Sequence, residues 1–304
     1  MKTFMHALET EQREWPLWLL MGASGRIGRM LMRHWTGAPP VGLHIVPQHR
    51  GPGPGLVWGP LDGPDPLIEL ARSRGGIAGL IVLSGVTPAP GADLAGNGAL
   101  ILASVTAAQT AGIGRLLVAS SSAVYGGGMG LPLGEDDLTL PVNDYGRAKL
   151  VAEAICDQAR QTGLAVTALR IGNVAGADAL LVNASRALYA EGEANALRID
   201  RFADGCGPLR SYIGPATLAA VLETLMRHSD PLPDCLNIAA PAPVSMESLA
   251  TAAGAPWQFV PAPPTSFQQI TLNCGRLTAL HAFPADASDP AAMVAEWQRL
   301  KDPA

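Results

Sequence analysis

A run of five apolar residues, Leu17–Met21, leads directly into the glycine-rich segment Gly22-Ala-Ser-Gly25-Arg-Ile-Gly28, and a helical pattern follows over Arg29–Trp35. An uninterrupted apolar run of this length is typical of a strand buried on both faces of a parallel sheet. The order of strand, glycine turn and helix therefore favours folds in which a helix begins directly at the end of a parallel strand.

The same alternation continues along the chain. Further strands are predicted at Val41–Val46, Gly79–Leu83, Arg115–Ala119 and Ala165–Ile171, and helices at Leu67–Ser73, Asn97–Ala111 and Tyr145–Gln161. This pattern predicts an α/β fold with a Rossmann-type, doubly wound parallel sheet. After Asn173 the pattern is less regular and prolines cluster, which predicts a smaller C-terminal substrate lobe. We predict a cofactor-binding domain at 1–172 with 211–240, and a substrate-binding lobe at 173–210 and 241–304.

Composition argues against several classes of function. The net charge of −5 over 304 residues leaves no basic surface to follow a nucleic acid backbone. The four cysteines are scattered, without a pair at metal-ligand spacing, so we expect free thiols and no metal site. The N-terminal residues lack a signal-peptide pattern and no apolar run reaches membrane-spanning length, so we expect a cytoplasmic protein without membrane or nucleic acid partners.

The glycine-rich segment has the properties of a pyrophosphate-binding turn. Gly22 allows the tight turn, Gly25 lets the backbone approach the phosphates, and Gly28 permits close packing of the helix on the strand. The helix N-terminus also favours an anion. The predicted cofactor-binding residues of this segment are Gly22, Ser24, Gly25, Arg26, Ile27 and Gly28.

Tyr145 and Lys149 lie four residues apart, so on a helix they share one face with Cβ atoms roughly 6 Å apart. A tyrosine pKa near ~10 must fall by ~3 units for acid–base work at neutral pH, which requires about 4 kcal/mol. A partly shielded ammonium about 4 Å away supplies roughly that amount. The pair is common on helices, and it indicates chemistry only in a suitable context.

That context is given by four segments, GASGRIG, SSSAVYG, YGRAK and LRIGNVAG, which occur in this order. With these segments the chain resembles the extended short-chain dehydrogenase/reductase family, the NAD(P)-dependent epimerase/dehydratase group. Arg210-Ser-Tyr-Ile213 and Leu236-Asn-Ile238 extend the resemblance over nearly the whole chain. It implies an enzyme that transfers a hydride at a hydroxyl or carbonyl of a nucleotide sugar or related polyol.

The resemblance implies three catalytic residues, Ser121, Tyr145 and Lys149. Tyr145 would give or take the hydroxyl proton while a hydride moves to or from the nicotinamide. Lys149 would hold the nicotinamide ribose and lower the pKa of Tyr145. Ser121 would donate a hydrogen bond to the reacting oxygen, and neighbouring Ser122 would contact the substrate.

Four other residues match family positions. Asn173 would border both cofactor and substrate, and Arg170 lies at the same strand end. Arg210 resembles the arginine that contacts the diphosphate of sugar nucleotides, for which a planar guanidinium is well suited. Asn97 matches an asparagine at the start of a helix, where a structural role is as plausible as a catalytic one.

The end of the second strand departs from the family. NAD-preferring members carry an acidic residue there that binds the ribose hydroxyls. Here Ile45-Val-Pro-Gln-His-Arg50 contains no acid, and His49 and Arg50 are suited to a ribose phosphate. The sequence therefore favours NADP over NAD as the cofactor.

Other departures keep two alternative functions open. The family's Gly-Asp-Leu segment is Gly59-Pro-Leu61 here, and its acidic segment after the arginine strand is Gly214-Pro-Ala-Thr217. The absent acids near Gly214 and the short stretch Thr87–Ala95, where larger relatives have a longer loop, leave room for an NADPH-dependent reductase of a non-sugar carbonyl compound. A catalytically idle NADP-sensing protein is the other alternative, although the retained tyrosine–lysine pair argues for chemistry. Ser122-Ala123 replaces the Asp-Glu pair of 4,6-dehydratases, which disfavours that activity.

Partners follow from the same resemblance. We expect a small-molecule substrate, and a homodimer is possible because family members commonly pair through the helices that here carry Asn97 and Tyr145.

Overall fold

The fold comes from a computed structural model that describes residues 15–89, 91–128, 130–188 and 196–302. Its helices are α1 (Arg26–Gly37), α2 (Asp65–Arg74), α3 (Gly96–Thr110), α4 (Asp144–Gln161), α5 (Ala179–Leu188), α6 (Pro215–Arg227), α7 (Met246–Ala252), α8 (Gly275–Leu280) and α9 (Pro290–Leu300). Short 3₁₀ helices span Pro60–Asp62 and Ser122–Tyr125.

The strands are β1 (Leu17–Met21), β2 (His44–His49), β3 (Leu56–Val57), β4 (Gly79–Val82), β5 (Arg115–Ser121), β6 (Ala165–Ile171), β7 (Asn173–Val174), β8 (Leu197–Arg201), β9 (Leu209–Arg210), β10 (Tyr212–Ile213), β11 (Cys235–Ile238), β12 (Val244–Ser245), β13 (Trp257–Pro261) and β14 (Gln269–Ile270). Seven of them form one sheet in the order β11-β6-β5-β4-β1-β2-β3. Because the chain crosses over on either side of β1, the sheet is the doubly wound, Rossmann-type sheet predicted from the sequence.

The core of the sheet follows from residue patterns. All five residues of β1 are buried, as expected for a central strand covered on both faces. Helix α1 buries Gly28, Leu31 and Trp35 along one side, which is the spacing of one helical face. In α4 the buried positions Lys149, Ala152 and Cys156 follow the same rule. Lys149 is a charged residue on this otherwise apolar face, and its burial there indicates a functional role.

The strands and helices predicted from the sequence lie within a few residues of their observed positions, but the bounds of β2 differ. Its predicted range was Val41–Val46, whereas the strand runs from His44 to His49. Pro47 cannot donate a ladder hydrogen bond, but it lies inside the strand and pairs with Leu20 of β1. The strand nevertheless continues, and Gln48 and His49 pair with β3.

The chain forms two compact units. Unit 1 comprises residues 1–120, 147–169 and 225–234, and unit 2 comprises 121–146, 170–224 and 235–304. Unit 1 contains β1 to β4 with α1, α2 and α3, and unit 2 contains the four short strand pairs of the C-terminal region. These bounds differ from the predicted domains, because 121–146 and most of 211–240 group with unit 2. The division into cofactor and substrate binding stays a prediction.

Within the described ranges, no helix combines the length and the apolarity needed to cross a membrane.

Candidate active site

The glycine turn is built for close backbone approach. Gly22 has a positive φ of 82°, and a Cβ there would lie 2.8 Å from the backbone nitrogen of Ser84. A Cβ at Gly28 would lie 2.3 Å from the carbonyl oxygen of Gly22, so α1 could not pack this closely with any other residue. These two glycines are therefore required by the packing of unit 1 itself.

Gly25 has a different surrounding. Among the described residues, a Cβ added there would meet only the Gly22 carbonyl oxygen, at 3.2 Å. Gly25 caps α1 with φ −71°, an ordinary value for any residue, and it is exposed together with Ser24 and Arg26. An accessible helix N-terminus without a side chain in front of it fits the diphosphate of a dinucleotide. Ile27, the remaining predicted residue of the turn, is half-buried.

Gln48 is a residue of this turn that sequence reasoning missed. It is 3% exposed, its Oε1 accepts from the Gly22 backbone nitrogen at 3.1 Å, and its Nε2 donates to the Trp58 carbonyl oxygen. The side chain thus ties the glycine turn to the region where β2 meets β3. Gln48 is neutral, and it lies at the end of the second strand, where NAD-preferring members of the resembled family carry an acidic residue.

His49 and Arg50, the predicted ribose-phosphate residues, differ in position. His49 is the last residue of β2, is half-buried, and has its ring against Gly53, where a Cβ would come within 3.1 Å of it. Its Nε2 atom is buried and has no hydrogen-bond partner among the residues that the structure describes. Arg50 follows the strand and is exposed. Of the two, Arg50 is the side chain with room to reach a ligand phosphate.

In unit 2, Ser121 and Tyr145 are brought together. A hydrogen bond joins the Ser121 and Tyr145 side chains, and Ser121 Oγ also accepts from the backbone nitrogen of Ala123 at 3.2 Å. The start of α4 is fixed by Asn143, whose Oδ1 accepts from the Gly146 nitrogen at 2.8 Å. A Cβ at Gly146 would lie 2.4 Å from the Ala123 carbonyl oxygen, so glycine lets α4 start close to the 3₁₀ helix that follows Ser121.

The expected lowering of the Tyr145 pKa is not what the protein environment produces. Burial raises the pKa of the Tyr145 phenol above its ordinary value, and the hydrogen bond with Ser121 opposes this only in part. The prediction of a lowered pKa was wrong for this structure, because the cost of burying the phenolate outweighs the stabilisation it receives. At neutral pH Tyr145 is therefore protonated.

In unit 1, Lys149 is a buried ammonium, only 5% exposed. Its Nζ donates to the Ala119 carbonyl oxygen at 2.8 Å. Burial lowers the pKa of Lys149 to about 8, against opposing effects of Cys156 and Glu153. A lysine held in this state on the apolar face of a helix is typical of a functional site.

Asn97 has a structural role. It is 2% exposed, its Oδ1 accepts from the Val86 backbone nitrogen at 2.7 Å, and its Nδ2 donates to the Val86 carbonyl oxygen at 3.0 Å. The side chain thus pairs with the backbone after β4 as a neighbouring strand would. These bonds use the amide of Asn97 to hold the loop.

A buried polar network in unit 2 supports the loop after Ser121. The Tyr125 hydroxyl donates to Asn237 Oδ1 at 2.8 Å and accepts from Arg170 Nη1, also at 2.8 Å. Arg170 further donates to the Glu135 carbonyl oxygen at 3.1 Å, and Glu135 Oε1 accepts from the Asn237 nitrogen at 2.9 Å. Burial raises the pKa of Tyr125 to about 12. Arg170 therefore orders this loop.

The three predicted substrate residues lie in unit 2. Ser122 is half-buried and opens the 3₁₀ helix after β5, and Asn173 opens β7, where its backbone nitrogen donates to the Ser211 carbonyl oxygen at 2.9 Å. Arg210 donates to the carbonyl oxygens of Leu209, Gln268 and Phe267, at 2.8, 2.7 and 2.8 Å. A guanidinium has five N–H groups, so two remain for a ligand.

No cluster of three or more His, Cys, Asp or Glu side chains suited to a metal ion occurs in the part of the chain that the structure describes.

Comparison with known proteins identifies the family. Residues 18–190 match the NAD dependent epimerase/dehydratase family. The match covers more than half of the chain, and the protein therefore belongs to this family of enzymes, in agreement with the resemblance seen in its motifs. No curated protein sequence matches significantly.

Solved structures agree on the fold. The UDP-glucose-4-epimerase of Stenotrophomonas maltophila, with bound NAD and formylated UDP-arabinopyranose, superposes with a TM-score of 0.77 at 18% identity, covering 93% of this chain and 98% of that one. The UDP-glucose 4-epimerase of Thermus thermophilus with NAD gives 0.72 at 18% identity, covering 93% and 99%. MoeE5 with UDP-glucuronic acid and NAD gives 0.71 at 23% identity, covering 93% and 99%.

Proposed function

We propose that this enzyme is an NAD(P)-dependent oxidoreductase or epimerase of a nucleotide sugar or related polyol, with Tyr145 as its acid–base residue. The observation that carries the proposal is the hydrogen bond between Ser121 and Tyr145, with the buried ammonium of Lys149 four residues further along the same helix. Nucleotide sugars are favoured because the similar structures include UDP-sugar epimerases and a protein bound to UDP-glucuronic acid.

Tyr145, Lys149 and Ser121 would have distinct roles in the reaction. When bound, the cofactor supplies a nicotinamide ring that accepts or gives a hydride. Because Tyr145 is protonated at neutral pH, it can donate a proton to a carbonyl oxygen as that carbon is reduced. In the opposite direction Tyr145 must receive the hydroxyl proton, and the positive charge of Lys149 stabilises the phenolate that takes it. Ser121 Oγ donates a hydrogen bond to the same oxygen.

The cofactor would be held by the glycine turn and by the ends of neighbouring strands. The backbone at Gly22, Gly25 and the start of α1 would bind the diphosphate. Lys149 and Asn173 would contact the nicotinamide ribose.

We propose NADP as the preferred cofactor. The β2 end presents no carboxylate to a ribose 2′-hydroxyl, since Gln48 is neutral and bonded to Gly22 and Trp58. Exposed Arg50 directly follows this strand and suits a 2′-phosphate.

The decisive experiment is the variant Tyr145→Phe. We expect turnover on UDP-hexoses to fall at least about a hundredfold, as loss of a general acid–base group implies. Product formation would be followed as epimer ratio and as NAD(P)H absorbance. Cofactor affinity and thermal unfolding are the internal controls, and both should stay close to the wild type. A turnover near that of the wild-type enzyme would rule out Tyr145 as the acid–base residue.

A reductase of non-sugar carbonyl compounds is the second candidate, and Arg210 favours it. Three of its five N–H groups are used by backbone carbonyls, so Arg210 offers a diphosphate two donors where an unengaged arginine would offer five. Thermal unfolding with UDP alone separates the candidates: stabilisation by UDP supports a nucleotide sugar, whereas no shift at millimolar UDP supports the reductase.

A further inference from the structure

We propose that Glu153 is a positioning residue for Lys149, held by Ser120 so that its negative charge offsets the burial of the Lys149 ammonium. The inference rests on the proposed function in one respect, namely that Lys149 must be cationic to assist Tyr145.

The geometry ties both helix residues to the end of one strand. Ser120 Oγ donates to Glu153 Oε1 at 2.5 Å, and Ser120 is only 5% exposed. The preceding residue, Ala119, accepts from Lys149 Nζ at 2.8 Å. Lys149 and Glu153 lie one turn apart on α4 and therefore on the same face. Two consecutive residues of β5 thus hold two consecutive turns of the helix.

A buried ammonium needs an opposite charge, which the neutral groups beside Lys149 do not supply. The Ala119 carbonyl is a dipole only, and the Cβ position of Gly85, in the loop after β4, lies beside both the neutral Asn97 amide and Lys149 Nζ. A Cβ at Gly85 would lie 3.5 Å from Lys149 Nζ, which places this backbone beside the ammonium.

Two titratable groups act on Lys149 so as to favour its charged form, Cys156 and Glu153. Burial raises the pKa of the Cys156 thiol to about 12, so this thiol is uncharged over the range in which Lys149 titrates. Tyr145, four residues earlier on the helix, is likewise protonated there. The carboxylate of Glu153 is therefore the group whose charge counters the desolvation of Lys149.

The consequence for catalysis concerns the alkaline side of the pH profile. An adjacent negative charge favours the protonated lysine, so removing it lowers the pH at which Lys149 becomes neutral. Loss of activity at high pH should then begin at lower pH in a variant without this charge.

The composition of the chain makes Lys149 directly observable. The sequence contains only three lysines, Lys2, Lys149 and Lys301. Protein labelled with ¹³C at the lysine ε-carbons therefore gives three signals, and Lys149→Arg assigns the one of interest. Its pKa would be measured by NMR titration in the wild type, in Glu153→Gln and in Ser120→Ala. Asp157→Asn, which removes an exposed charge from the same helix, is the matched control.

Glu153→Gln keeps an oxygen that can accept from Ser120 but removes the charge. We expect the Lys149 pKa to fall by at least about 0.5 units in this variant, and the Asp157→Asn value to stay at the wild-type value. Ser120→Ala leaves every charge in place but releases the carboxylate, so the pKa should fall by a smaller amount. If Glu153→Gln does not fold, the Lys149 pKa measured in Ser120→Ala tests the proposal instead.

An unchanged Lys149 pKa in Glu153→Gln, or in Ser120→Ala where only that variant folds, would overturn the proposal. An equal fall of the Lys149 pKa in Asp157→Asn would also overturn the proposal, because the pKa would then respond to the net charge of the helix and not to Glu153 in particular. The NMR titration needs no substrate and is independent of turnover. Failure of the proposed function would appear instead as full activity in Tyr145→Phe, so the two failures can be told apart.

Discussion

Tyr125 and Tyr145 show how the surroundings of a side chain decide its role. The Tyr125 hydroxyl is committed on both sides, as a donor to Asn237 and as an acceptor from Arg170. The Tyr145 hydroxyl instead lies against Ser121, a side chain that can also turn to a substrate oxygen. The first tyrosine is part of the framework, and the second is the one for which we propose the acid–base role.

The glycines of the turn allow a prediction at the same scale. Gly25→Ala should leave the free energy of unfolding within about 1 kcal/mol of the wild type, because the added methyl group meets only one atom. It should weaken NAD(P) binding at least about tenfold, because the methyl group stands where the diphosphate would approach the helix. Binding is measured by calorimetric titration and stability by denaturant unfolding.

Gly28→Ala is the matched comparison, since the same methyl group would collide with the Gly22 carbonyl oxygen. It should lower the free energy of unfolding by about 2 kcal/mol or more. If instead both variants lose stability equally, Gly25 is a structural glycine and its assignment to the cofactor is wrong.

At the scale of elements, helix α6 shows how a missing motif is replaced. The family's acidic segment before this helix is absent here, since Gly214-Pro-Ala-Thr217 carries no charge. Glu296 of α9 takes its place. Its Oε2 accepts from the backbone nitrogens of Ala216 and Thr217 at 2.8 and 3.0 Å, and its Oε1 accepts from the Thr217 hydroxyl at 2.6 Å. A carboxylate from a distant helix thus satisfies the first turn of α6.

Glu296→Ala should therefore lower the free energy of unfolding by about 2 kcal/mol, because three donors lose a charged acceptor. Denaturant unfolding would show the loss, and Glu69→Ala, which removes an exposed carboxylate from α2, should change stability by less than about 0.5 kcal/mol. Equal effects of the two substitutions would mean that Glu296 does not cap α6.

The elements also show what a sequence can predict. Strand β1, the glycine turn and α1 were predicted because each is a local pattern read within a few residues, whereas Ser121 and Tyr145 were singled out by the resemblance to the family. Gln48 and Glu296 were missed because their partners lie 26 and 79 residues away, and pairing over such distances is set by the folded sheet. The contribution of burial to the Tyr145 pKa likewise depends on the folded surroundings and not on spacing.

At the scale of the whole molecule, cofactor binding is the property to measure. A ligand that binds the folded protein raises its melting temperature by mass action. We expect NADP to raise it more than NAD at equal concentration. Arg50→Ala should remove most of that difference, whereas Arg72→Ala, an exposed arginine of α2, should leave it unchanged. A larger shift with NAD than with NADP would contradict the preference inferred from the end of β2.

The hydrogen bond from Tyr125 to Asn237 also has a consequence for the order in which the chain folds during synthesis. It joins residues 112 positions apart, and the bond between Glu135 and Asn237 spans 102. Contacts between such distant parts of a chain form late, since the entropy of closing the intervening loop must be overcome first. During synthesis the glycine turn can fold early, but the segment that follows Ser121 reaches its final order only once β11 has left the ribosome.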